Sequence, residues 1–102
     1  MTANRAILPP MAGSEDESIA QRLKRTREAM GLKPAAWCRL VDIEPAAWAN
    51  YESGLRRISI DQALKVCRAT GVSLDWIYRG LMQGMPVDLA TKLQGRSPAR
   101  RR

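Results

Sequence analysis

An all-α fold is predicted by three observations. Apolar residues recur at helical spacing from Ile19 onward, glycine closes the periodic stretches, and no segment of useful length alternates with the two-residue period of a strand. The chain has 102 residues, which suits one domain with tails. It has no Phe, so the three Trp, with Leu, Ile and Val, must supply most of the buried area.

Residues 1–18, "MTANRAILPPMAGSEDES", read as a flexible N-terminal leader with paired prolines, a glycine and an acidic cluster. Glu15, Asp16 and Glu17 suit the positive end of the helix that follows, and either Ser14 or Ser18 can cap it. "IAQRLKRTREAMGL" then sets Ile19, Leu23 and Met30 near one stripe, with Gly31 as the stop, and leaves Arg22, Lys24 and Arg25 as a solvated face. Pro34 opens a second helix, "PAAWCRLV", expected to bury Trp37, Leu40 and Val41. Asp42 and Ile43 make a turn, and a third helix runs from Pro45 to the stop at Gly54. "LRRIS" is a loop. Ser59 caps a fourth helix over "IDQALKVCRATG", and Ser73 caps a short fifth over "SLDWIYRG", with Trp76 as packing.

Residues 19–80 thus form the folded domain, and 81–102 a basic, partly disordered extension. Within it, "PVDLATKL" can make a short extra helix with Leu89 and Leu93 on one face. Leu81, Met82 and Met85 either pack back on the core or form a dimer contact. The "ARRR" end either grips phosphates or only solubilises the chain.

The formal net charge of +7 and a pI near 10.3 favour a polyanionic partner, although a plain solvated basic surface has the same composition. Cys38 and Cys67 have no CxxC spacing and the chain has no His, so the usual zinc sets are missing and both read as small buried thiols. No apolar run approaches the roughly 18 residues of a membrane span, and the N-terminus lacks a secretory h-region, so a cytoplasmic protein with no membrane partner is expected. No nucleophile lies beside a base and no Gly-rich loop suits a phosphate, so neither catalysis nor a cofactor is expected.

The combination of "RLKRTREAMGL", "WANYESG" and "VSLDWIYRG" resembles the phage-repressor (Cro/C1, also called Xre) helix-turn-helix family, over roughly Ile19 to Gly80. The resemblance implies five helices, the third entering the major groove of double-stranded DNA, and a symmetric homodimer. It implies a structural ion pair between Arg27 and Glu52. It places base-contacting positions at Glu44, Pro45, Ala46, Ala47 and Asn50, and phosphate contacts at Lys33, Pro34, Arg56 and Arg57. Two positions depart from the family: Pro34 replaces the common first-helical Gln, and Asp42 replaces the common turn Gly.

Of the five base-contacting positions, only Asn50 is a side chain that reads a purine edge bidentately. Glu44 can accept from a cytosine amine but repels phosphate, and alanines offer methyl contacts, for example to thymine. The leading expectation is therefore a sequence-specific DNA-binding transcriptional regulator that needs dimerisation, DNA shape or a tail to reach specificity. The alternative is a protein-interaction or antitoxin-like module on the same fold, with weak or lost base reading and a protein partner held through the C-terminal extension.

Overall fold

The structure is a computed structural model and describes residues 17–95. The leader up to Asp16, including Ser14, and the basic end from Arg96 lie outside the described residues. Among those described there are six helices and no strand: α1 (Ile19–Ala29), α2 (Pro34–Val41), α3 (Pro45–Ser53), α4 (Ile60–Thr70), α5 (Leu74–Arg79) and α6 (Val87–Leu93).

Local chemistry accounts for most boundaries. At α1 the Ser18 Oγ accepts from the Gln21 N–H at 3.1 Å, and Gln21 Oε1 accepts from the Ser18 N–H at 2.8 Å, a reciprocal capping box. Ser59 and Ser73 cap α4 and α5 in the simpler way, accepting from the N–H groups of Gln62 and Trp76. Pro34 and Pro45 occupy first helical positions, where a missing N–H costs nothing. Helix α2 ends on Asp42 in the left-handed region (φ 61°, ψ 50°), the single non-glycine residue with positive φ among the described residues. Its carbonyl accepts a 2.8 Å bond from Lys65 Nζ on α4, which ties the turn to the body of the domain.

Helix α1 is the central element, with α3, α5 and α6 packed on it, while α2 joins α3 to α4. Trp37, Trp48 and Trp76 are all fully or almost fully buried. The Trp37 and Trp48 rings meet at 5.3 Å with planes tilted by 56°, and Tyr51 packs edge-on to Trp48 at 6.2 Å. Each such ring contributes on the order of 3 kcal/mol relative to alanine. Trp76 sits under α1, its Nε1–H donating to Thr26 Oγ1 at 2.9 Å, while that hydroxyl donates to the Arg22 carbonyl at 2.7 Å.

Three expectations need correction. Leu40 is 49% exposed: the inward stripe of α2 is Trp37, Cys38 and Val41, and at about 100° per residue Leu40 falls well round from its centre. Arg22 is buried, with Nε donating to the Ile77 carbonyl at 3.0 Å and a further bond to the Glu17 carbonyl, and burial lowers its pKa. Arg25 pairs with the Glu17 carboxylate at 2.6 Å, donates to the Leu93 carbonyl at 3.0 Å and lies 5.0 Å over the Trp76 ring. Of the three side chains expected on a solvated face, only Lys24 is exposed.

The helix expected over Pro86–Leu93 forms as α6, and its Leu89 and Leu93, with Met85, are buried in the same core as the first five helices. Their apolar surface is therefore used inside one chain. Val87, at 79% exposure, is the large apolar side chain of this segment left facing solvent.

Candidate nucleic-acid interface

Helix α3 is held in place from its inner side by one carboxylate. Glu52 accepts from Arg27 Nε at 2.7 Å and Nη2 at 3.2 Å, a two-pronged pair, and from the Trp48 indole N–H at 2.6 Å. Arg27 spends its remaining prong on the Leu32 carbonyl at 3.0 Å, so one guanidinium joins α1, the α1–α2 loop and α3. The two side chains are only 11% and 16% exposed. The bond to Glu52 first, against desolvation, raises the Arg27 pKa above its ordinary value, so the guanidinium stays charged. Both Glu52 oxygens are thus engaged in holding the helix.

The outer side of α3 is bare of such chemistry. Trp48 and Tyr51 point inward, which leaves positions 46, 49 and 53 outward. Glu44, Pro45 and Ala46 are exposed, as the family resemblance requires of base-facing residues, and Asn50 is half-buried. Ala47 is half-buried and packs against the core, so its methyl group is turned at least partly from the outer face. Ala49, outside the set that the family resemblance implies, is exposed on the same helix, as the inward phase of Trp48 and Tyr51 requires. Glu44 is the N-cap residue of α3 but makes no side-chain cap bond.

Between α2 and α3 runs a largely apolar groove of about 560 Å³, lined by Pro34, Ala35, Cys38, Pro45, Trp48 and Ala49 together with Lys24, Glu52 and Ser53. A second hollow of about 470 Å³ shares Ala35, Cys38 and Pro45 with it and carries Arg39, Glu44 and Lys65. Cys38 lines both; burial, then the neighbouring Glu52, pushes its thiol pKa up, so it remains protonated. Both Cys38 and Cys67 are free thiols, and among the described residues no set of three His, Cys, Asp or Glu side chains converges as a metal site would require.

The cations stand at the two ends of this surface. Lys33 is the exposed N-cap residue of α2 and precedes the exposed Pro34. Arg56 and Arg57 are exposed in the loop after α3, where the Arg56 N–H bonds the Asn50 carbonyl at 3.1 Å and fixes the start of the loop. Gly54 makes that turn with φ 84°, and a Cβ there would lie 3.8 Å from the Ala20 Cβ of α1. In consequence Arg56 and Arg57 border a hollow of about 210 Å³ together with Ser18, Ile19 and Ala20. Two guanidinium groups and the positive end of α1 therefore face the same space, an arrangement suited to phosphate.

Among the described residues no helix is long and apolar enough to cross a membrane. Neither curated proteins nor solved structures yield a match to this chain. Comparison with protein families, however, matches residues 18–79 to the family described as "Helix-turn-helix domain". That segment holds the first five helices, the Arg27–Glu52 pair, the α2–α3 groove and both loop arginines, in an all-helical fold consistent with the phage-repressor type. The chain belongs to the helix-turn-helix domain family, and at that coarse level it is a DNA-binding protein.

Proposed function

We propose that this protein is a sequence-specific transcriptional regulator that lays α3 in the major groove of double-stranded DNA. The observation that carries the reading is the division of labour around α3: the inner carboxylate is consumed structurally, while the outer face is open and bracketed by Lys33 at one end and Arg56 and Arg57 at the other. Phosphates on either side of the groove meet those cations, and Pro34 brings the N-terminal end of α2 to the backbone. Glu44, Pro45, Ala46 and Asn50 face the bases, with Ala47 a marginal contributor because of its burial.

One recognition helix with a single bidentate reader is a weak discriminator, and a symmetric homodimer doubles it across two half-sites about one helical turn apart. The test is selection of bound fragments from a random duplex pool at moderate salt, followed by sequencing. A two-fold-symmetric motif is the expected result. Binding without enrichment would limit the protein to gripping the backbone, and no binding would remove the reading.

A second reading has one observation in its favour, the apolar groove itself, which also suits an apolar segment of a protein partner in an antitoxin-like role. In that case the C-terminal extension serves partner binding, and the same selection recovers no DNA.

A further inference from the structure

Helix α1 carries four basic residues, and three of them are put to internal use. Arg22 and Arg25 bond the carbonyls of Ile77 and Leu93, and Arg27 holds Glu52. The fourth, Lys24, forms no hydrogen bond or ion pair with any described residue. It is exposed, and it stands one turn before Arg27 on the face of α1 that packs on α3.

Lys24 lines the α2–α3 groove together with Pro34 and Ala35 of α2 and with Ala49 and Ser53 of α3. Pro34 follows Lys33, the exposed N-cap residue of α2, and Ala49 and Ser53 belong to the outward side of α3. The hollow bordered by Arg56 and Arg57 reaches only to Ala20, one turn of α1 or roughly 6 Å back along its axis. Lys24 therefore stands beside the outer face of α3, on the side that Lys33 and Pro34 occupy. Two carboxylates are neighbours. Glu52 lines the same groove, but both its oxygens are held by Arg27 and Trp48; Glu28, one turn further along α1, is exposed and makes no ion pair with Lys24. An ammonium group on a long stem, held by nothing inside the chain and set beside a helix laid in the major groove, meets the phosphates that wall that groove.

We propose that Lys24 is a DNA phosphate contact, through which α1 grips the same strand that Lys33 and Pro34 meet. The inference rests on the DNA-binding reading above and adds a residue to its backbone grip. Such a contact fixes how α3 lies in the groove and carries no base information of its own.

The experiment measures equilibrium binding of the full chain to one duplex recovered from the random pool, between about 50 and 200 mM salt. Lys24→Gln removes the charge and keeps a helix-favouring side chain. Lys92→Gln on α6 removes the same charge from an exposed position outside the groove. Losing one phosphate contact lowers the slope of log K against log salt by about one, so the advantage of the native chain over Lys24→Gln should shrink about 3.5-fold across this range. Lys92→Gln and Lys24→Arg should both keep the native slope. The phosphate is then located by replacing phosphates one at a time with uncharged methylphosphonate. The replacement that weakens the native chain but not Lys24→Gln should neighbour, on the same strand, the one that behaves so for Lys33→Gln. A native slope in Lys24→Gln, an equal loss in Lys92→Gln, or no such phosphate on that strand overturns the proposal and leaves DNA binding standing. Failure of the native chain to bind any duplex removes both.

Discussion

Arg27→Ala should unfold this domain far more readily than the loss of one surface charge would suggest. The side chain makes three hydrogen bonds, two to Glu52 and one to the Leu32 carbonyl, and it is 11% exposed against a partner 16% exposed. Truncation leaves a largely shielded carboxylate with the Trp48 indole as its remaining donor. Breaking one side of such a pair costs about 3 kcal/mol, the low end of the range for buried pairs because one bond survives. For a domain of this size each kcal/mol lowers the melting temperature by about 4–8 °C, so a fall of roughly 12–24 °C is expected. Helix content followed through thermal and urea denaturation measures it. Arg79→Ala is the internal control: its partner Asp75 lies at 3.5 Å, both side chains are about two-thirds exposed, and at most about 0.5 kcal/mol should be lost. If Arg27→Ala loses no more than the control, the pair does not hold α3 to α1.

Asn50→Ala should narrow the affinity difference between preferred and random sites with little change in melting temperature, and identical site preference in a repeated selection would remove Asn50 from the reading face. Arg56 and Arg57 replaced together by Ala should weaken binding to all sequences alike and reduce the slope of log K against log salt by roughly two, about one per lost phosphate contact; an unchanged slope would place the contacts elsewhere. Tyr78 gives a pH prediction. Burial raises its phenol above the ordinary 10.0, and the hydroxyl donates to the Ile58 carbonyl at 2.7 Å. The folded state therefore resists deprotonation more than the unfolded chain does, so its contribution is complete below pH 10 and is lost as pH rises from there through the raised folded-state value. Urea midpoints across this range should fall more steeply for the native protein than for Tyr78→Phe, and parallel curves would refute the linkage.

What was legible beforehand was what is local. Capping serines, first-turn prolines and glycine stops act within a turn of the residues they govern, and so five helices and the short sixth could be placed. The turn at Asp42 is legible too, and its left-handed conformation fits the position where the resembled family commonly has Gly. The errors are of a different kind. Arg22 and Arg25 sit on a helix face that is polar by composition, yet their guanidinium groups bond the carbonyls of Ile77 and Leu93, more than fifty residues along the chain. No spacing rule announces such a partner. Leu40 was misplaced for the opposite reason: its hydrophobicity outweighed its angle on α2. At the candidate interface, Ala49 lies outside the expected set although helix phase alone points to it, and the groove it lines depends on how α2 crosses α3, which only packing decides.

The grip of Arg25 on the Leu93 carbonyl bears on how the protein can be cut. The family segment ends at residue 79, but here Met85, Leu89 and Leu93 close one side of the core, and Arg25 joins α6 to the indole of Trp76. A fragment trimmed to the family boundary would remove three buried side chains from the shared core and leave Arg25 without the Leu93 carbonyl. A piece cut for expression should therefore run through α6, with any C-terminal tag beyond it.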